Sequence, residues 1–152
     1  MIRIVRDDLT HPDVVALLLA HAANLASISP PESTHVLNLD GLRDPSVTLW
    51  SAWEGEDLVG VGALKELDPL HGEVKSMRTV EKHLRRGFAG LMLDHIVAEA
   101  RTRGYARLSL ETGSMIEFAP ARAMYQRAGF EDCPPFGSYV PDENSVFLTL
   151  AL

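Results

Sequence analysis

Along the chain the spacing of apolar positions switches between a period of two and a period near 3.6, and the switches divide it into elements. Met1 to Arg6 alternates as a strand does, with Ile2 and Ile4 on one face. Thr10-His11-Pro12 then supplies an N-cap and an early helical proline. Val14, Val15, Leu17, Leu18, Leu19, Ala22 and Leu25 form a helical stripe that predicts a helix to about Asn24. From Ser27 to Pro45 the pattern is irregular, broken by Ser29-Pro30-Pro31 and punctuated by Asp40-Gly41 and Asp44-Pro45, with a short helix expected from Glu32 to Leu39. Alternation returns in Val47 to Glu54 and Leu58 to Leu67, a hairpin about the polar turn Glu54-Gly55-Glu56-Asp57. Asp68 to Gly72 reads as a second turn, opening a strand over Glu73 to Thr79.

A long helix begins near Phe88, with Phe88, Leu91, Met92, His95, Ile96 and Ala100 near one face, and closes on Arg101, Arg103 and Gly104. Arg107 to Glu111 reads as a buried strand, Thr112-Gly113-Ser114 as a turn, and Glu117 to Ala128 as a helix stopped by Gly129. Phe130 to Asp132 is a short strand, Cys133-Pro134-Pro135 a break, and Ser145 to Leu150 the last strand. A strand, helix and strand in this order make a crossover with parallel neighbours. The expected class is α/β (α+β), with a mixed central sheet, flanking helices and one domain over residues 1–152.

Composition then narrows the function classes. No apolar run reaches the roughly 18 residues of a membrane span, and the alternating N-terminus lacks the features of a signal peptide, so a soluble, cytoplasmic protein is expected. Cys133 is the one cysteine, which excludes an internal disulfide framework and a cysteine-rich zinc site; no metal is expected. Fourteen Lys and Arg against 21 Asp and Glu leave a net charge of −7, which argues against nucleic-acid binding.

The basic residues are concentrated, however. Lys75, Arg78, Lys82, Arg85 and Arg86 fall within a dozen positions that contain one acid, Glu81. Two of these arginines stand just before a helix N-terminus, where unpaired N–H groups and the macrodipole favour an anion over a cation. Gly87, Ala89 and Gly90 keep that backbone uncovered, so a phosphate can reach the N–H groups. By contrast, Gly60-Val61-Gly62 lacks the third glycine and the following helix of a dinucleotide fingerprint. Trp50 and Trp53 are expected to pack, and His21 to be structural or solvated.

The element order, together with this loop, resembles the GNAT (Gcn5-related) N-acetyltransferase family across nearly the whole chain. The family signature of glutamine or arginine, glycine three positions on, and glycine or alanine two further falls on Leu84, Gly87 and Ala89, the first being a departure. A second marker, a tyrosine-containing helix ending in Gly-Phe, is matched by Ala121 to Phe130; Phe118 stands where the family often has asparagine. The runs Pro30 to Ser33, Gly72 to Thr79 and Leu110 to Ser114 are similar to a bacterial subgroup of small YsnE-like acetyltransferases.

This resemblance implies the acyl-CoA N-acyltransferase fold with about six or seven strands, and acetyl-CoA as co-substrate. Its pyrophosphate is expected on Leu84, Arg85, Arg86, Gly87, Phe88, Ala89 and Gly90. Its pantetheine is expected along Met77, Arg78 and Thr79, paired like an added strand, with N–H groups near Met77 polarising the thioester carbonyl. The acceptor implied is a small-molecule amine. Tyr125 is the expected acid for the leaving thiolate; Glu73 is the first candidate base and Glu111 the second, with His35 and His71 behind them. Glu32, Ser33 and His35 lie on a segment that can face substrate. A homodimer is a further expectation from the family. Two rival readings stay open at this point: an acyl-CoA-binding module without turnover, and an unrelated α/β fold holding another phosphorylated ligand.

Overall fold

The computed structural model describes residues 1–28 and 39–152. Glu32, Ser33 and His35 lie outside the described residues. Strand β1 is Ile2–Arg6, and helix α1, Pro12–Ile28, runs four residues past the expected Asn24. Its first turn is capped by the His11 ring rather than by Thr10: His11 Nδ1 accepts from the Asp13 N–H at 3.1 Å, while the Thr10 hydroxyl donates to Asp8 at 2.6 Å. A single turn, α2, follows at Leu39–Leu42.

Strands β2 (Val47–Glu54) and β3 (Asp57–Asp68) form the expected hairpin, and β4 is His71–Thr79. The β3–β4 turn is therefore tighter than the sequence indicates, because His71 already pairs with Asp68 and with Arg107. Helix α3 is Phe88–Thr102, β5 Arg107–Gly113, α4 Ala119–Arg127, β6 Glu131–Asp132 and β7 Ser145–Ala151. Two boundaries differ from expectation. Thr112 and Gly113 are not a turn but continue β5, because Val146 and Ser145 of β7 pair with them. Residues 116–118 form a separate 3₁₀ turn before α4. Leu91 also leaves the predicted apolar face and is exposed; Met92, Leu93, Ile96 and Ala100 make the buried stripe of α3.

The seven strands lie in the order β1-β2-β3-β4-β5-β7-β6, antiparallel except for the central β4–β5 pair. Buried residues fall into two clusters. One joins α3 and α4 to the sheet through Val74, Met92, Leu93, Ile96, Leu108, Leu110, Tyr125 and Leu148. The other joins α1 through Val14, Leu18, Leu49, Trp53, Val61 and Ala63.

Two irregularities in β4 shape the edge it presents. Its parallel pairing with β5 covers only His71, Gly72 and Glu73, so beyond Glu73 the two central strands part. A bulge also sits at Ser76, whose φ is +56°, between the pairs Ala63–Lys75 and Val61–Arg78. An inserted residue shifts the two-residue alternation of a strand. Met77 thus packs towards α3 beside Met92, whereas Arg78 rejoins the face of Lys75, opposite Val61 in the α1 layer.

Candidate active site

Where β4 and β5 part, a cleft of about 690 Å³ opens, lined from α1, β4, the loop before α3, the end of β5 and α4. It brings together nearly all the residues expected to act. Glu73, Met77, Arg78, Thr79, Leu84, Arg85, Gly87, Phe88, Ala89, Gly90, Glu111 and Tyr125 all line it.

The loop before α3 has the geometry of an anion cradle. Leu84 is at φ −61°, Arg85 at +65° and Gly87 at +83°, with Arg86 between them outside the positive-φ set. Alternating hand turns successive N–H groups to one side, and here that side meets the N-terminus of a 15-residue helix. A Cβ placed on Gly87 or Gly90 would meet nothing within 4 Å, so the backbone there is open to a ligand.

The basic cluster does not act as one body. Lys82 is paired with Asp57 at 2.9 Å, Lys75 with Glu73 at 3.1 Å, and Arg86 with Glu54 at 3.5 Å. Arg86 also donates to His83 Nδ1 at 2.9 Å and stacks over Phe88 at 4.9 Å, so it supports the loop from behind and does not line the cleft. Of the two arginines expected at the pyrophosphate, Arg85 is the one that lines the cleft. Because a guanidinium can only donate, His83 Nδ1 must accept, which leaves the proton on its buried Nε2 at 4.0 Å from Asp57. Of the five cations, Arg85 and Arg78 line the cleft without an acidic partner among the described residues.

Glu73 sits at the closed end of the wedge, its side chain 4% exposed. Its Oε2 accepts from Lys75 at 3.1 Å and from the Tyr139 hydroxyl at 2.6 Å, and Lys75 in turn donates to Tyr139 at 3.0 Å. Burial first, and the Glu73 charge second, push the Tyr139 phenol far above its ordinary pKa, so it remains a donor. Glu111, on the other lip of the wedge, accepts from Ser145 at 2.7 Å. His71 does not line the cleft; it is bonded to Ser109 at 2.7 Å where the strands still pair. Tyr125 is buried on α4, and burial raises its phenol above the ordinary range.

The sequence offered no signal for Tyr139, which comes from the long connection between β6 and β7 and meets Glu73 across 66 positions. His21 also gains weight. It continues the buried stripe of Val14 and Leu18, lines the cleft, and has no partner for Nδ1 among the described residues. Burial, and then the positive charge of Arg78, hold its pKa down to about 4. Between about pH 6.5 and 4 the unfolded chain therefore binds a proton that the folded chain refuses. Stability is complete above that window and falls as the pH drops through it, by about 2 kcal/mol from pH 7 to pH 5. Urea unfolding midpoints at the two pH values should record this loss, and His21→Leu should remove most of it.

Among the described residues no group of three or more His, Cys, Asp or Glu is placed to hold a metal, and no helix is long and apolar enough to cross a membrane. A mixed sheet whose central parallel strands part ahead of a helix N-terminus is the architecture of acyl-CoA N-acyltransferases. The chain belongs to the acetyltransferase (GNAT) family, whose model matches residues 16–130, and the activity of that family is acetyl transfer. It is 57% identical over 146 residues to the uncharacterized N-acetyltransferase YsnE of Bacillus subtilis strain 168, covering 96% of this chain and 97% of YsnE. With the uncharacterized N-acetyltransferase YedL of Escherichia coli K12 it shares 52% over 152 residues, 100% of this chain and 96% of YedL. The crystal structure of a Bacillus subtilis acetyltransferase in complex with CoA has the same fold, with a TM-score of 0.75 at 21% identity over 100% of this chain and 99% of that one. An unrelated α/β fold is thereby ruled out.

Proposed function

We propose that the protein moves an acetyl group from acetyl-CoA directly to a primary amine of a small molecule. The observation that carries this reading is the continuity of one cleft from the helix-terminal loop, along the parted edge of β4, to Glu73, Glu111 and Tyr125. When bound, acetyl-CoA would supply an acyl carbon held as a thioester. The Leu84–Gly90 backbone and Arg85 would receive the pyrophosphate, and the edge of β4 at Met77–Thr79 would receive the pantetheine amides.

The rest is proton handling. The amine nitrogen forms a C–N bond as the C–S bond breaks; one proton leaves the nitrogen and one must reach sulfur. Glu73 is the proposed acceptor of the first, directly or through water, and Tyr125 the proposed donor of the second. Glu111 is assigned to the acceptor side, across the wedge from Glu73. The decisive experiment measures free thiol released from acetyl-CoA with a broad panel of primary amines, amino acids and peptides. Release above the hydrolytic background, with N-acetyl product seen by mass spectrometry, is the expected result. Tight acetyl-CoA binding with no release for any acceptor would instead support a binding module, and release only with peptides would move the acceptor to protein amines.

A further inference from the structure

Lys75, Arg78, Arg85 and Arg127 line the cleft, the last exposed in the final turn of α4; within the basic cluster of β4 and its loop, one cation is left that acetyl-CoA does not explain. Lys82 and Arg86 are committed to the β2–β3 hairpin through Asp57 and Glu54, and Lys75 is committed to Glu73. Arg85 stands on the loop before α3, where a pyrophosphate would lie. Arg78 remains. Its side chain leaves the sheet on the α1 side because the Ser76 bulge has shifted the alternation of β4, so it stands on the face opposite α3. It is half-buried, lines the cleft, and has no acidic partner among the described residues.

On α1 the cleft presents His21, 8% exposed, with Nδ1 unpartnered among the described residues. His21 on α1 and Arg78 on the α1 side of β4 line the same cleft. A neutral imidazole in the same cleft offers a polar contact without adding charge. Removing a guanidinium from water without pairing it is unfavourable, so a half-buried arginine that shares a cleft with an unpartnered imidazole is suited to an incoming anion. A planar carboxylate fits a guanidinium fork with two parallel hydrogen bonds. Glu73, Lys75 and Tyr139 lie on the same face of β4, at the reacting end of the cleft.

From this arrangement we infer that the acetyl acceptor is an amino acid, an amine that also carries a carboxylate, with Arg78 and His21 receiving the carboxylate while the amine is presented to the thioester. The inference rests on the acetyltransferase reading and adds the acceptor class to it. Arg78 is then a specificity-determining residue: its backbone belongs to the cofactor edge and its side chain to the acceptor.

Matched pairs test it: tryptophan against tryptamine, phenylalanine against phenethylamine, and alanine against ethylamine, each as acceptor in the thiol-release assay. The acids should exceed their decarboxylated partners in kcat/KM by about 10- to 100-fold, the range a hydrogen bond to a charged group supplies. Arg78→Gln should collapse that ratio through the acceptor KM, leaving the KM for acetyl-CoA within about twofold; His21→Leu should reduce the ratio by less. In parallel, the melting temperature of the CoA-saturated protein should rise with the amino acids and not with the amines. Preference for the decarboxylated amines overturns the inference, as does an Arg78→Gln effect confined to the acetyl-CoA KM. So does acetyl-CoA binding in which none of the 20 common amino acids is either acetylated or stabilising. If acetyl-CoA itself neither binds nor is consumed, the acetyltransferase reading fails first, and that result is separate.

Discussion

Tyr125→Phe is expected to lower kcat by about 100-fold, within the range of a positioned general acid, while the KM for acetyl-CoA stays near its starting value. The reasoning begins with burial. Tyr125 is 6% exposed, lines the cleft, and its hydroxyl has no hydrogen-bond partner among the described residues. Its phenol is held above the ordinary range, so at any working pH it carries the proton a leaving thiolate needs. A donor that acts only as the C–S bond breaks stabilises the transition state and not the bound substrates, so kcat and kcat/KM should fall together. Phenylalanine keeps the ring, including its edge-on packing against Phe130 at 5.7 Å, and the melting temperature should hardly move. Unchanged turnover would remove Tyr125 from the mechanism.

Glu73→Ala should have the largest effect on stability, a loss of about 3–5 kcal/mol, because it leaves the Lys75 ammonium buried without its carboxylate. The Lys75 side chain is only 9% exposed and its other hydrogen bond is to the Tyr139 hydroxyl, which cannot replace the charge. At about 2–4 °C per kcal/mol for a chain of this size, calorimetry should find the melting temperature lower by roughly 10 °C. Glu73→Gln keeps an oxygen that accepts from Tyr139 and should cost less. The Gln variant therefore separates the two roles open to Glu73. A protein that remains folded but loses turnover supports the base; full turnover makes Glu73 the anchor of Lys75 and Tyr139 and passes proton acceptance to Glu111.

How much of this was legible in the sequence depended on range. The β2–β3 hairpin, the strand into the Leu84–Gly90 loop, α3 and the closing strand β7 are written in local period and in the glycines that stop or open the backbone. So was the open loop ahead of α3, because Arg85, Gly87 and Gly90 stand beside a helix start. Less legible were facts decided by distant neighbours. The division of five cations into three paired and two facing the cleft depends on Glu54, Asp57 and Glu73, of which two lie on another hairpin. Tyr139 sits in a stretch without periodicity, and nothing local connects it to Glu73. The Ser76 bulge carries no glycine to announce its positive φ, so simple alternation would have sent the Arg78 side chain to the wrong side of the sheet. Phe118, a departure from the family pattern, packs its ring against Gly113, where no side chain would fit beside it.

The parting of β4 from β5 has a consequence on the timescale of amide exchange. A strand at the middle of a seven-stranded sheet is ordinarily among the slowest parts of a domain to take up deuterium. In the unliganded protein, the half of β4 beyond Glu73 retains β3 as its partner strand and has none on the other side among the described residues. Protection there should alternate, with residues bonded to β3 exchanging slowly and their neighbours exchanging like a surface loop. Saturation with acetyl-CoA should slow the fast set alone, turning a stuttering pattern into an even one.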